Sequence, residues 1–134
     1  MAEESKKELS KAEWKVMKIV WELKKGVARE IYTIAGQEYS WSPATVKTLL
    51  KRLVDKKFVK TAPVGNGFVY RPAKTAISAL RNAADHLLTQ AIAGTTGPLL
   101  AHMVKRTDLS LGEIKELERL IEVKKKQAKK NSSK

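Results

Sequence analysis

The sequence contains no cysteine among its 134 residues. Disulfide bonds, thiolate metal ligands and thiol redox chemistry are therefore excluded. No apolar run approaches the roughly 18 to 20 residues that a membrane-spanning helix needs, and the first ten residues are charged rather than apolar. Together these absences predict a cytoplasmic protein that does not enter a membrane.

Recognisable catalytic motifs are absent from the sequence as well. There is no glycine-rich phosphate loop and no nucleophile elbow. His86 and His102 lack a second histidine at metal-binding spacing, and Asp85 falls on a different helix face from His86. We therefore expect no enzyme activity, no cofactor and no metal site.

Acidic residues are scarce relative to basic ones. The chain has 27 lysines and arginines against 14 aspartates and glutamates, which gives a net charge of +13. The excess lies in residues 1–72, at +7, and in residues 124–134, which contain six lysines and no acid, whereas residues 73–123 are neutral. Such an excess indicates a polyanionic partner, which could be nucleic acid, an acidic protein or an anionic membrane.

Two helices are predicted before residue 40. Ser10 and Glu13 have the spacing of a capping box before an apolar-rich run, so the first helix begins at Ser10 and ends at Gly26. The second helix is short, covering about residues 28–35, and Gly36 is predicted to stop it.

The third predicted helix has two distinct faces. Ser42 caps it, and Pro43 occupies the first helical position, where its missing N–H does no harm. The inner face has apolar residues at helical spacing: Val46, Leu49, Leu50 and Leu53. The outer face carries small, hydroxylated and charged residues: Ala44, Thr45, Lys47, Thr48, Lys51, Arg52 and Asp55. The helix is therefore expected to pack on one side and to present a polar surface on the other.

Beyond Lys57 the apolar period changes from helical to extended. Two extended runs flank the Gly-Asn-Gly stretch at 65–67, whose residues tolerate the positive φ angles of a tight turn, so this segment is predicted to be a β-hairpin. Pro63 cannot donate a ladder hydrogen bond, which makes its strand an edge strand or a bulged one. Pro72 closes the segment, and a domain boundary is expected near residues 71–75.

From residue 76 onward the sequence predicts helices alone. One apolar stripe ends at GTTGP (94–98), a shorter one covers 99–104, and a last helix begins at Ser110 with a second capping box. Three helices of this size cannot bury so many leucines and isoleucines among themselves. A two-fold homodimer is the simplest solution, and packing onto residues 1–72 is the alternative. The expected dimerisation residues are Ile77, Leu80, Leu87, Leu88, Leu111, Ile114, Leu117 and Ile121.

Three helices followed by a hairpin are the order of a winged helix-turn-helix, a mainly α fold with a small β-hairpin wing. In this fold the second helix supports the third, whose exposed face enters the major groove of DNA. Small residues allow close approach to base edges, hydroxyls exchange hydrogen bonds, and lysine or arginine reaches phosphates or guanine. The predicted DNA-binding residues are Ser42, Ala44, Thr45, Lys47, Thr48, Lys51, Arg52 and, in the wing, Asn66.

Several stretches resemble the penicillinase-repressor family, which includes the BlaI and MecI regulators and the CopY-type copper-transport repressors. They are LSKAEWKVMKIVWE at 9–22, WSPATVKTLLKRLVDKKFV at 41–59, GNGFVYRP at 65–72 and, more loosely, LSLGEIKELERLIE at 109–122. The resemblance implies a dimeric winged-helix repressor that binds a palindromic operator and leaves it on an inducing signal. It also implies DNA contacts by the helix that holds Ser42, Ala44, Thr45, Lys47, Thr48 and Lys51.

The sequence departs from the family pattern at two DNA-facing positions. The family usually has lysine where this chain has Ala44, and commonly Gly-Arg in the wing where this chain has residues 65–67. Losing both cations should lower affinity or alter the operator that is read. The cysteine-rich clamp of the copper-responsive branch is absent, and no motif establishes the proteolytic cut that releases the β-lactam branch, so the inducing protease or ligand stays open.

The sequence therefore predicts a homodimeric, sequence-specific transcriptional repressor that binds a palindromic operator in double-stranded DNA. Its expected parts are a winged-helix DNA-binding domain at 1–72, a helical dimerisation domain at 73–123 and a flexible basic tail at 124–134. One alternative is a nonspecific basic nucleic-acid-binding accessory protein. Another is that the winged helix is structural and residues 73–134 bind a different protein.

Overall fold

The computed structural model describes residues 8–132, which form two compact units, 8–87 and 88–132. The elements, in chain order, are α1 (Lys11–Leu23), β1 (Gly26–Val27), α2 (Ala28–Tyr39), α3 (Pro43–Asp55), β2 (Val59–Val64), β3 (Gly67–Pro72), α4 (Ala76–Gln90), α5 (Thr96–Arg106) and α6 (Leu111–Ser132). The predicted class, mainly helical with a small antiparallel sheet, is confirmed.

The first helix begins as predicted and ends earlier than predicted. The Ser10 hydroxyl accepts a hydrogen bond from the Glu13 backbone N–H at 3.2 Å, and the Glu13 carboxylate accepts one from the Ser10 N–H at 2.8 Å. The helix ends at Leu23, followed by Lys24 at φ 67°. Gly26 does not end it but begins strand β1, where an added Cβ would lie 2.9 Å from the Leu23 Cδ1 atom.

The second helix is longer than predicted. Gly36 does not stop α2, which continues to Tyr39 and is closed by Ser40 in the left-handed conformation at φ 58°. Glycine inside a helix costs about 1 kcal/mol relative to alanine, which is too little to end a helix that packs on a core. The burial of Ile31 and Ala35 on the same helix provides that packing.

The hydrophobic core of the first unit lies between the first three helices and the base of the sheet. The buried side of α1 and the inner face of α3 contribute most of it, and Ala79 of α4 closes it. The buried apolar residues are Val16, Met17, Ile19, Val20, Ile31, Ala35, Val46, Leu49, Leu50, Leu53, Phe58, Val59 and Ala79. The inner face predicted for α3 is therefore confirmed in full.

One carboxylate lies inside this core and ties two helices together. The side chain of Glu13 is 1% exposed, and its Oε1 atom lies 2.7 Å from the Nζ atom of Lys56, just after α3. The same ammonium donates to the Glu8 carbonyl at 2.7 Å. Burial alone would raise the pKa of Glu13, but hydrogen bonds from Lys56 and from Ser10 lower that pKa below its ordinary value. The start of α1 is thereby fixed to the end of α3.

The sheet has three antiparallel strands in the order β1–β3–β2. Strand β2, which contains Pro63, lies at an edge, as predicted. Val64 pairs with Gly67 across a two-residue loop in which Gly65 has φ 61°. Glycine at the first central position of such a loop fits the turn that matches strand twist. The predicted hairpin is confirmed, whereas β1 was not predicted.

The first unit continues beyond the wing into α4. The indole Nε1 of Trp21 donates a hydrogen bond to the Lys74 carbonyl at 2.9 Å, and the Lys74 ammonium lies 4.4 Å from the centre of the Phe58 ring. One turn later, Ala79 is buried in the core. The division of function at residues 72 and 73 stays a prediction, but the folded unit extends to residue 87.

The second unit consists of the end of α4 with α5 and α6, and neither α5 nor α6 has a buried residue. Ser110 and Glu113 form the predicted capping box of α6. Residues 124–132 are helical instead of forming the predicted flexible tail, because lysine, glutamine and alanine favour helix and a Glu122–Lys125 ion pair bridges the junction. Residues 133–134 lie outside the described part. Within 8–132, no helix has the length and apolarity to cross a membrane.

Replacing the buried carboxylate should destabilise the first unit. Glu13→Gln should lower the free energy of unfolding by about 1 to 3 kcal/mol, because the amide cannot pair with Lys56 and a polar group stays buried. Because the native pKa of Glu13 is lowered, its stabilisation is complete above the unfolded-state pKa and is lost as pH falls through the native pKa. Urea unfolding should therefore show the difference from wild type shrinking below about pH 4.5.

The matched control for this experiment is Glu22→Gln, on the exposed side of α1. It should change the free energy of unfolding by less than about 0.5 kcal/mol. Equal stability of Glu13→Gln and wild type at neutral pH would contradict the assigned role of Glu13.

Candidate nucleic-acid interface

The outer face of α3 is exposed along its whole length. All of the residues predicted for that face are accessible, whereas the four inner residues are buried. We call the following set the α3 outer face: Ser42, Ala44, Thr45, Lys47, Thr48, Lys51 and Arg52. The structure thus places the predicted α3 residues together on one surface. Whether they contact DNA stays a prediction.

The hydroxyl groups of the α3 outer face are held by local hydrogen bonds. The Ser42 hydroxyl accepts from the Thr45 backbone N–H at 3.3 Å and lies 3.1 Å from the Thr45 hydroxyl. The Thr48 hydroxyl donates to the Ala44 carbonyl at 3.1 Å. Ser42 is therefore a helix cap as well as a surface residue. Thr48 has its proton engaged, so its oxygen is available to a ligand as an acceptor.

An aromatic pair at the turn between α2 and α3 fixes the start of α3. The rings of Tyr39 and Trp41 have centroids 4.9 Å apart. The ammonium of Lys15, on α1, lies 5.0 Å from the Tyr39 centroid and 5.8 Å from the Trp41 centroid. Cation–π contacts of this kind contribute about 0.5 to 1 kcal/mol at exposed sites. Together with the Lys56–Glu13 pair, they attach both ends of α3 to α1.

The wing adds a second exposed surface with cations that the sequence reasoning missed. Asn66 is exposed at the tip, as expected for the predicted wing contact. Lys60 of β2 and Arg71 of β3 are paired across the two strands, and both are exposed. Like charges in directly opposite positions destabilise a sheet, and an anion between them would relieve the repulsion. Counting back equally from the loop along each strand could have identified this pair.

Negative charge is nearly absent from this part of the chain. Between Glu38 and Asp85 the sequence contains a single carboxylate, Asp55. Lys56, which the sequence count includes among the basic residues, is engaged by the buried Glu13 and is therefore not a free surface cation. The exposed cations of this region are Lys47, Lys51, Arg52, Lys57, Lys60, Arg71 and Arg81. The excess of these cations over the single carboxylate, Asp55, gives the surface a positive potential that attracts polyanions.

The residues predicted to form a dimer contact are also exposed. In the first unit they are Ile77, Leu80 and Leu87, and in the second unit Leu88, Leu111, Ile114, Leu117 and Ile121. Other large apolar residues of the second unit are exposed as well, with Ile92 at 74%. The predicted dimer contacts did not include these further residues: Ile92, Leu100, Met103, Val104, Leu120 and Val123.

The two histidines have the surroundings of ordinary surface residues. The Nε2 atom of His86 lies 2.9 Å from the Glu8 Oε1 atom, and both side chains are partly exposed. His102 is exposed on α5. In the part of the chain that the structure describes, no group of three or more histidine, cysteine, aspartate or glutamate side chains is placed to hold a metal ion.

Comparison with known proteins identifies the family. The model of the family described as "Penicillinase repressor" matches residues 9–123, which include nearly all of the first unit and the second unit up to Val123. The chain belongs to the penicillinase-repressor family. Members of this family are DNA-binding transcriptional repressors, and not enzymes.

Individual relatives are distant in sequence but similar in length. An uncharacterised 16.5 kDa protein of Latilactobacillus sakei is 34% identical over 121 residues, which cover 90% of this chain and 83% of that protein. The methicillin resistance regulatory protein MecI of Staphylococcus aureus is 30% identical over 114 residues, covering 85% and 93%. The Bacillus licheniformis BlaI monomer, solved with the blaP half-operator, is 32% identical at a TM-score of 0.47, covering 52% of this chain and 84% of that one.

The role of Ser42 as the N-terminal cap of α3 can be tested by substitution. Ser42→Ala should lower the free energy of unfolding by about 1 kcal/mol, because the Thr45 N–H loses its acceptor at the first turn of α3. Ser42→Asp should stay within about 0.5 kcal/mol of wild type, because aspartate caps equally well. Chemical denaturation of both variants measures the difference. Equal stability of Ser42→Ala and wild type would show that the hydroxyl is not needed as a cap.

Proposed function

We propose that this protein is a homodimeric repressor that reads a palindromic operator with the α3 outer face of each copy. The observation that carries the proposal is the division of α3 into a buried apolar face and an exposed face of small, hydroxylated and basic residues. A helix of this kind has the width and chemistry to enter the major groove. Membership of a repressor family supports the same conclusion.

The hydrogen bonds within α3 suggest how base edges are distinguished. Because the Thr48 proton is given to the Ala44 carbonyl, the Thr48 oxygen accepts from an exocyclic amine of adenine or cytosine. Its methyl group and that of Ala44 can contact a thymine methyl. Lys47, Lys51 and Arg52 reach further, to phosphates or to the acceptor edge of guanine.

The wing supplies phosphate contacts in this proposal. Lys60 and Arg71 lie directly across from each other on the two strands of the wing, and both are exposed. A phosphate placed between them would remove the repulsion that the pair carries in the free protein. These cations compensate in part for Ala44 and Asn66, which stand where the family more often has lysine and arginine.

The exposed leucines and isoleucines support the homodimer. So many exposed large apolar side chains on α4, α5 and α6 are unusual on a monomer and are expected to be covered by a second copy. Two copies present two reading helices, and the half-sites of the operator are then spaced by about one helical turn or a multiple of it. We place this repressor in the cytoplasm, where it blocks transcription by occupying the operator until an inducing signal, a protease or a ligand, releases it.

Selection of bound duplexes from a random DNA pool tests the proposal. The selected pool should be enriched in a two-fold symmetric motif, and Thr48→Glu should lower affinity for that motif at least 100-fold, because a carboxylate would face base edges and phosphates. Gln37→Glu adds the same charge on the exposed side of α2 and should lower affinity less than about threefold. Failure to enrich any motif would contradict the repressor function.

The alternative function, a nonspecific accessory protein, predicts the opposite outcome of the same experiment. Binding through charge alone would give no enriched motif, and Thr48→Glu and Gln37→Glu would weaken all duplexes equally. The ordered, capped α3 with small residues at positions 44, 45 and 48 favours the repressor, because a charge-only binder has no need of a shaped surface.

Charges placed in the apolar stripe of α6 should separate the two copies. Leu117→Asp with Ile121→Asp should shift the protein from dimer to monomer in sedimentation and lower operator affinity at least tenfold, because the second half-site is then bound independently. Affinity for a single half-site should stay the same. Lys115→Asp, on the opposite side of α6, adds a carboxylate without entering the stripe and should leave the dimer intact. A double variant that still sediments as a dimer would contradict the proposed interface.

A further inference from the structure

Gly67 lies in the wing at a position where the fold of the free protein does not require glycine. It begins strand β3 and pairs with Val64, and unlike Gly65 it does not have a positive φ angle. Among the described residues, a Cβ atom added to Gly67 would meet no heavy atom within 4 Å beyond its chain neighbours. Glycine weakens a strand and often marks a place where a ligand approaches the backbone closely. Gly67 therefore points to a contact outside its own chain.

The tip of the wing carries no charge. Residues 61–70 contain no acidic or basic side chain, whereas Lys60 and Arg71 lie just outside this stretch and opposite each other. The tip therefore has no cation to offer to a phosphate, and the cations that can bind phosphates lie at its base. At about 3.4 Å per residue, the loop begins roughly 13 Å beyond the Lys60–Arg71 pair.

Two large apolar side chains flank the loop of the wing. Val64 is 59% exposed and Phe68 is 54% exposed. Because Val64 pairs with Gly67 and side chains alternate along a strand, Val64 and Phe68 lie on opposite faces of the hairpin. In the stretch 65–67 between them, Asn66 carries the only side chain. The tip is therefore narrow at its centre and apolar on both sides.

These features fit the minor groove of DNA better than they fit the phosphate backbone. The minor groove is about 6 Å wide and about 7.5 Å deep, and two paired strands lie about 4.8 Å apart. A hairpin backbone therefore fits between the groove walls where side chains are small. The distance from the Lys60–Arg71 pair to the loop exceeds the depth of the groove. With these cations on phosphates at the groove edge, the tip can reach the groove floor.

We propose that the wing tip enters the minor groove beside each half-site that α3 reads, and that it selects A·T base pairs there. This inference rests on the proposed function. Gly67 brings the backbone onto the groove floor, where the amine of guanine would leave no room for it. The Asn66 amide donates to the acceptors of adenine and thymine. Val64 and Phe68 contact the deoxyribose walls, as apolar side chains do in other minor-groove complexes.

Base analogues in the duplex enriched from the random pool test the proposal with the full chain. Diaminopurine in place of adenine adds the minor-groove amine of guanine and leaves the major-groove edge of the A·T pair unchanged. Inosine paired with cytosine presents the major-groove edge of G·C without that amine. Each analogue is placed at one A·T pair at a time. In each half-site we expect at least one pair where diaminopurine lowers affinity about tenfold and inosine lowers it less than about threefold.

Gly67→Ala connects the effect of diaminopurine to the wing. The added methyl group should lower affinity for the unmodified duplex about fivefold, because the backbone can no longer reach the groove floor. Diaminopurine should then lower the affinity of this variant less than about threefold, since the tip no longer meets the added amine. The denaturation midpoint should not fall, because the position is open and alanine has less freedom than glycine in the unfolded chain.

Gly112→Ala is the matched control. Gly112 also lacks a positive φ angle, and a Cβ atom added to it would meet only the Ser110 Oγ atom, at 4.0 Å. It lies on the side of α6 away from Leu117 and Ile121. This variant should keep the wild-type affinity and the wild-type response to diaminopurine. An equal loss of affinity in the two alanine variants would contradict the assigned role of Gly67.

The outcomes separate this inference from the proposed function. If no motif is enriched, the proposed function fails and this inference fails with it. If a motif is enriched but no A·T pair shows the expected response, or Gly67→Ala binds as tightly as wild type, this inference alone is overturned. If diaminopurine weakens wild type and Gly67→Ala equally, the wing tip does not sense the amine, and the inference is likewise overturned.

Discussion

Burial of one side of α3 is the constraint on which the rest of the first unit depends. Val46, Leu49, Leu50 and Leu53 are each at most 5% exposed, and burying side chains of this size contributes about 1.5 to 3 kcal/mol apiece. Because the helix has a fixed period, this burial also determines which residues face outward. The exposure of the α3 outer face is therefore a consequence of core packing, and no separate contact is needed to keep each of its side chains exposed.

Electrostatic contacts add to this packing at the two ends of α3. Lys56 is held by the buried Glu13 at the end of the helix, and the Tyr39–Trp41 pair lies beside Lys15 at its start. All of these contacts return to α1. Helix α1 thus fixes the orientation of the α3 outer face, although it contributes no residue to the predicted DNA contact.

Sequence reasoning succeeded where the signal is local. The capping boxes at Ser10 and Ser110, the two faces of α3 and the Gly65 turn each depend on residues within a few positions of one another. It failed where a distant partner decides the outcome. Strand β1 is two residues long and exists because it pairs with Tyr70 and Val69 of β3, which no local pattern can reveal.

The same limit explains the errors at the candidate site. Lys56 resembled any other lysine of a basic run, but its ammonium is used by a carboxylate 43 positions earlier in the chain. Lys60 and Arg71 became neighbours only through the register of the hairpin. The scarcity of apolar groups after Val123 predicts a flexible tail, but lysine is a good helix former when a helix is already nucleated, and the helix continues.

The hydrogen bond from Trp21 to the Lys74 carbonyl has a consequence for how the repressor could be switched off. The segment that follows the wing is part of the first folded unit up to at least Ala79, which is buried. In the proposed dimer, a cut before Ala79 would remove core contacts from the first unit and unfold it. A cut after residue 87 would leave the first unit folded but without its second copy. If the proposed induction is proteolytic, the position of the cut therefore decides whether the α3 outer face is destroyed or only reduced from two copies to one.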